Sequence, residues 1–95
     1  MSPRWTAVAE ESLGQVRRWH AQFSEANGTY WVRRIEKAVE NASTFPKKHR
    51  RVPEIDADDV REIIVNPYRI WFRILDPDDT IEVIVVFHGS MQVPD

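Results

Sequence analysis

The chain has 95 residues, 42% hydrophobic and 11% aromatic, which is enough to bury one core and too few for two ordinary domains. It has no cysteine, so a disulfide framework, a thiolate metal site and a cysteine nucleophile are all excluded, and with no metal-binding run or phosphate-cradling glycine loop neither metal nor cofactor is expected. A formal net charge of −2 repels a phosphate backbone and argues against a general nucleic-acid binder.

The opening "MSPRWTAVAEE" lacks a basic stretch followed by an apolar one, and no run approaches the roughly 18 apolar residues of a membrane span. A soluble, cytoplasmic protein with no membrane partner is therefore expected. "RWTAV" reads as a short extended segment. From Ala9 to Ser24, Leu13, Val16, His20 and Phe23 recur at spacings of three and four, with Glu10 and Glu11 in the first turn, which predicts an amphipathic helix. "EANGT" interrupts it. Asn27 or Thr29 then caps a second helix with Trp31, Ile35, Ala38 and Ala42 on one face, ended by Phe45-Pro46.

"KKHRR" at 47–51 is a compact basic cluster followed at once by the acidic "EIDADD" at 54–59. It reads equally as a basic patch or as a solvated loop whose two ends attract each other. Beyond it the period changes from about 3.6 to 2. "REIIV" at 61–65, "YRIWFRIL" at 68–75 and "TIEVIVVFH" at 80–88 are β-branched and aromatic, and the turn-forming "NP" and "DPDD" separate them, so they predict a three-stranded antiparallel meander. The fold class is α+β: one domain over 1–95, with a short N-terminal strand, a helical hairpin and the meander.

Pairing Arg73 with Glu82 and Ile74 with Ile81 puts Ile63, Val65, Tyr68, Ile70, Phe72, Ile81, Val83, Val85 and Phe87 under the helices. The other face collects Glu62, Ile64, Arg69, Trp71, Arg73, Glu82, Ile84, Val86 and His88. Ion pairs of Arg73 with Glu82, and contacts of Arg69 or Trp71 with Glu62, suit such a surface. Trp71, Ile64, Ile84 and Val86 form an apolar patch there that predicts a protein partner. His88 as general acid or base, Arg69 beside a phosphate and Glu54 as proton acceptor would suit RNA cleavage through the 2′-hydroxyl. A lone His beside a glycine at a strand end is more often a turn residue.

The order of elements, with "VPEI" at 52–55, "VRE" at 60–62, "YRI" at 68–70 and "HG" at 88–89, resembles the RelE/ParE superfamily of toxins from type II toxin–antitoxin modules. The resemblance spans nearly the whole chain. It implies a cognate antitoxin as partner, contacting Trp71, Ile64, Ile84 and Val86, and one of two targets. The RelE-like branch cuts messenger RNA on the ribosome, and its pattern places lysines where this chain has Val60 and Glu62 and an arginine near Ser90 and Met91. A second nuclease pattern in the superfamily uses a glutamate, the strand arginine and a C-terminal histidine, roles open to Glu54, Arg69 and His88. The ParE-like branch poisons DNA gyrase without these residues. The ParE-like reading is preferred, because Glu62 repels the phosphate that a lysine attracts. Lys47, Lys48, Arg50, Arg51 and Arg69 are then the candidates for toxicity and target contact, with no catalytic set.

Overall fold

A computed structural model describes residues 2–75 and 78–91. Strand β1 (Arg4–Trp5) leads into helices α1 (Ala7–Ala21) and α2 (Glu25–Thr44). A 3-10 turn (Pro46–Lys48) and the short β2 (Arg50–Arg51) precede β3 (Val60–Val65), β4 (Tyr68–Leu75) and β5 (Thr80–His88). The single sheet has the order β1-β5-β4-β3-β2, with β1 parallel to β5 and the other pairs antiparallel. The expected α+β hairpin-and-meander arrangement is present, and β2 is an addition to it. Of the "DPDD" connector, residues 76 and 77 lie outside the described residues.

Both helices begin earlier than the sequence spacing predicts, because Thr6 and Ser24 cap them. Thr6 Oγ1 accepts from the Ala9 amide at 3.0 Å and starts α1, and Ser24 Oγ accepts from the Asn27 amide at 3.0 Å and starts α2. "EANGT" is therefore the first turn of α2 rather than an interruption. Gly28 lies where the helices cross, and a Cβ there would stand 2.9 Å from the Arg17 carbonyl oxygen. α1 ends at Ala21, so Phe23 falls outside it and is exposed rather than part of the core.

The main core lies between the helices and the sheet. It includes Val16, Ile35, Val39, Ile70, Phe72, Ile81 and Val83, and burial of each large apolar side chain contributes about 1.5–3 kcal/mol. The expected pairings Arg73 with Glu82 and Ile74 with Ile81 are observed. Between Phe72 and Trp71, however, the register slips: Phe72 pairs with Val83 but Trp71 pairs with Val85, leaving Ile84 as an extra residue. This β-bulge inverts the faces of β5 beyond it. Val86, expected on the helix-free face, is in the main core, whereas Val85 and Phe87, expected in that core, pack on the other side.

That other side is covered too. Val52, Ile55 and Ala57 from the segment after β2 fold over Trp71, Val60, Val85 and Phe87 to make a second, smaller cluster. Trp71 is 3% exposed.

Candidate functional site

Glu62, on the helix-free face of β3, is the centre of a polar cluster under that segment. Its side chain is fully buried and accepts from Arg69 Nε, from Arg50 Nε at 2.6 Å and from Trp71 Nε1 at 3.0 Å. Burial pushes its carboxyl up, but donation by Arg69, Trp71 and Arg50 outweighs this and holds it below the usual carboxylate range. Arg69 also donates Nη1 and Nη2 to the two oxygens of Glu54, at 3.0 and 2.8 Å. This bidentate contact is the first cause of the lowered Glu54 pKa and of an Arg69 pKa raised above its ordinary value. The guanidinium lies over the rings of Trp71 and Phe87, at 5.6 and 5.3 Å.

The expected contacts of Arg69 and Trp71 with Glu62 are therefore real, and both act through one carboxylate. Glu54 and Arg69, two members of the nuclease trio, also come together. They do so as an ion pair that occupies the arginine. The third member is elsewhere: the bulge sets His88 opposite Tyr68, and Arg69 opposite Phe87. His88 packs edge-on to Tyr68 at 5.7 Å on the helix side, and its Nδ1 accepts from the Ser90 amide at 3.1 Å and contacts the Ser90 hydroxyl at 2.7 Å. Arg69 and His88 thus face opposite sides of the sheet.

The basic loop is matched by its acidic neighbours, as the solvated-loop reading expects. Lys47 stands 3.9 Å from Asp79, Arg50 pairs with Glu62, and Arg51 reaches Asp56 at 3.3 Å and Asp58 at 3.9 Å. Lys48 lies over the Phe45 ring at 4.8 Å. Arg61, which the sequence reading passed over, holds the loop from within by donating to the carbonyls of Lys47, His49 and Asp58, each at 2.9 Å. Arg73 makes its ion pair with Asp59 at 3.4 Å rather than with Glu82.

The expected partner-binding patch is largely internal. Trp71 and Val86 are each 3% exposed, Ile84 is half-buried, and only Ile64, at 53%, is open. Exposed apolar surface lies instead beside α1. Trp19 (57%) and Phe23 (70%) meet edge to face at 6.0 Å. Trp19 then borders a groove of about 420 Å³ between α1 and the end of β5, lined also by Val16, Tyr68, Val86, His88 and Met91. At its floor Ser12 Oγ accepts from the Val86 amide at 2.9 Å. Trp19, between the core positions Val16 and His20, was the available signal, but without the bulge nothing placed a groove next to it. His20 is half-buried at the edge of the core: Nε2 is 2.8 Å from the Tyr68 hydroxyl, the ring stacks on Trp31 at 4.9 Å, and burial lowers its pKa.

Among the described residues no three His, Asp or Glu side chains converge into a metal-holding group, and no helix is long and apolar enough to cross a membrane. None of the curated proteins matches the chain. A solved structure described as a chromosomal ParDE TA system from P. aeruginosa has a similar fold, with a TM-score of 0.75 at 18% identity over 93% of this chain and 95% of that one. The family model for the ParE toxin of the type II toxin–antitoxin system parDE matches residues 4–93. With that match over nearly its full length, the chain belongs to the ParE toxin family of type II toxin–antitoxin systems.

Proposed function

We propose that this protein is a non-enzymatic toxin that inhibits DNA gyrase and is silenced by a cognate antitoxin seated in the groove between α1 and β5. The observation that carries the non-enzymatic reading is the state of Arg69. Its Nε and both terminal nitrogens are engaged by Glu62 and Glu54, and His88 is on the other face of the sheet. An arginine that stabilises a developing phosphorane needs free donors aimed at the reacting phosphate, next to the acid and base. Here two carboxylates hold that place, and Glu62 adds negative charge where the RelE-like pattern has a lysine.

Membership of the ParE family and the engagement of Arg69 by two carboxylates support the gyrase target over a nuclease. The antitoxin seat follows from chemistry: a strip of exposed aromatic and aliphatic side chains beside a strand end suits the apolar side of a partner segment. Purified toxin in a ribosome-dependent cleavage assay is expected to leave translated message intact. Cleavage that disappears in both Arg69→Lys and His88→Ala, with folding retained, would overturn the reading in favour of a nuclease.

A further inference from the structure

The cations of the 47–51 loop are matched by carboxylates or a ring, whereas on α2 Arg34 lies over the Trp31 ring at 5.1 Å but meets no carboxylate. Arg33, Arg34 and Lys37 are exposed, share one side of the helix, and make no ion pair among the described residues. Glu36, on the same helix, belongs to a depression against α1 with Arg17. Two further depressions meet along the cations. One, of about 540 Å³, reaches Tyr30, and the other, of about 450 Å³, reaches Ile64 and Asn66; Arg34 and Lys37 line both. The result is one shallow groove with cations at its middle and an exposed apolar side chain at either end, Tyr30 at 55% and Ile64 at 53%.

The Ile64 end has a second property. The Ile74 amide donates to the Asp59 carbonyl at 2.8 Å, so Val60 and Arg73 are a non-hydrogen-bonded pair, and residues 60, 62 and 64 turn their backbone groups away from β4. At Val60 and Glu62 those groups meet the segment 50–52, but β2 pairs no further than Glu62. Ile64 faces no strand. It is an open ladder position beside two cations that meet no carboxylate among the described residues.

We propose that this groove binds an extended, acidic segment of a protein partner. The segment adds to the edge of β3 at Ile64, sets carboxylates against Arg34 and Lys37, and places apolar side chains on Ile64 and Tyr30. A nucleic-acid backbone would answer the cations but leave the open edge and both apolar ends unused, and the net charge of −2 opposes it. The site is separate from the α1–β5 groove and does not depend on the identity of the toxin's target.

The test uses the isotope-labelled full chain, titrated with a short capped peptide alternating glutamate with valine, and in parallel with a short DNA duplex. The peptide is expected to shift the amide resonances of Arg34, Lys37, Ile64 and Asn66. Its affinity should fall about tenfold or more in Arg34→Glu/Lys37→Glu, and also in Ile64→Asp. All three side chains are exposed, so circular dichroism should report unchanged folding; Lys37→Gln provides a milder variant, with a smaller loss of the same sign. No peptide binding, equal binding by the charge-reversed variant, or tighter binding of the duplex at the same amides would each overturn the proposal.

Discussion

Arg69 holds two carboxylates at once, one buried and one at the surface, and the two halves of that contact differ in worth. Arg69→Ala leaves Glu62 as a buried carboxylate short of its main donor, so a loss of about 3–5 kcal/mol is expected in urea unfolding. Glu54→Gln disturbs only the outer, solvent-screened pair and should cost far less. Similar losses for both would contradict the assignment of Glu62 as the anchor. The titrating residues predict the direction of pH dependence. Glu62 and Glu54 lie below their ordinary value of 4.5 in the fold, so their contribution is complete above that pH and is lost as pH falls from it through their lowered folded-state values. His20 and His49 are held below 6.5 by burial, so the unfolded chain takes up their protons first and stability declines as pH falls below 6.5. Both effects have the same sign. The urea midpoint should decrease from pH 7.5 to 5.5 and again below 4.5; a midpoint that rises on acidification would count against these shifts.

At the level of elements, the decisive feature is the extra residue in β5. Alternation in "YRIWFRIL" assigned Tyr68, Ile70, Phe72 and Ile74 to the core correctly, because period 2 is a local property of an uninterrupted strand. The same reasoning failed for Val85, Val86, Phe87 and His88, because the bulge has no local mark: no glycine or proline stands near Ile84. Residues far away in sequence hold it. Thr6 Oγ1 donates to the Ile84 carbonyl at 3.1 Å, and Ser12 Oγ accepts from the Val86 amide at 2.9 Å. The helix starts show a milder form of the same limit, since Ser24 and Asn27 are both good caps by residue type and the local sequence alone does not choose between them. Val86→Ala should therefore destabilise by about 1–3 kcal/mol as a core truncation, and Ile64→Ala should stay within about 0.5 kcal/mol. An unbulged meander leaves both side chains on the helix-free face and predicts similarly small losses for the two.

Across the whole molecule, the chain closes one face of its sheet with helices and much of the other with the segment around Val52–Ala57, which is why most of the partner patch read from strand alternation is interior and only Ile64 of it is open. What stays open is the α1–β5 groove with Trp19 and Phe23, and the basic side of α2. Trp19→Ala and Phe23→Ala should each weaken antitoxin binding by about 2 kcal/mol, measured by calorimetry, while leaving the thermal midpoint nearly unchanged; full affinity in the double variant would place the antitoxin elsewhere. The family was legible in the order of elements and the strand motifs. The features that bear on a nuclease as against a binder were not, because they depend on which face His88 occupies and on what Arg69 already holds. The most direct test of that distinction is gyrase-catalysed supercoiling of relaxed plasmid, titrated with purified toxin. Dose-dependent inhibition that persists in His88→Ala is predicted, and unaffected supercoiling at saturating, folded toxin would contradict it.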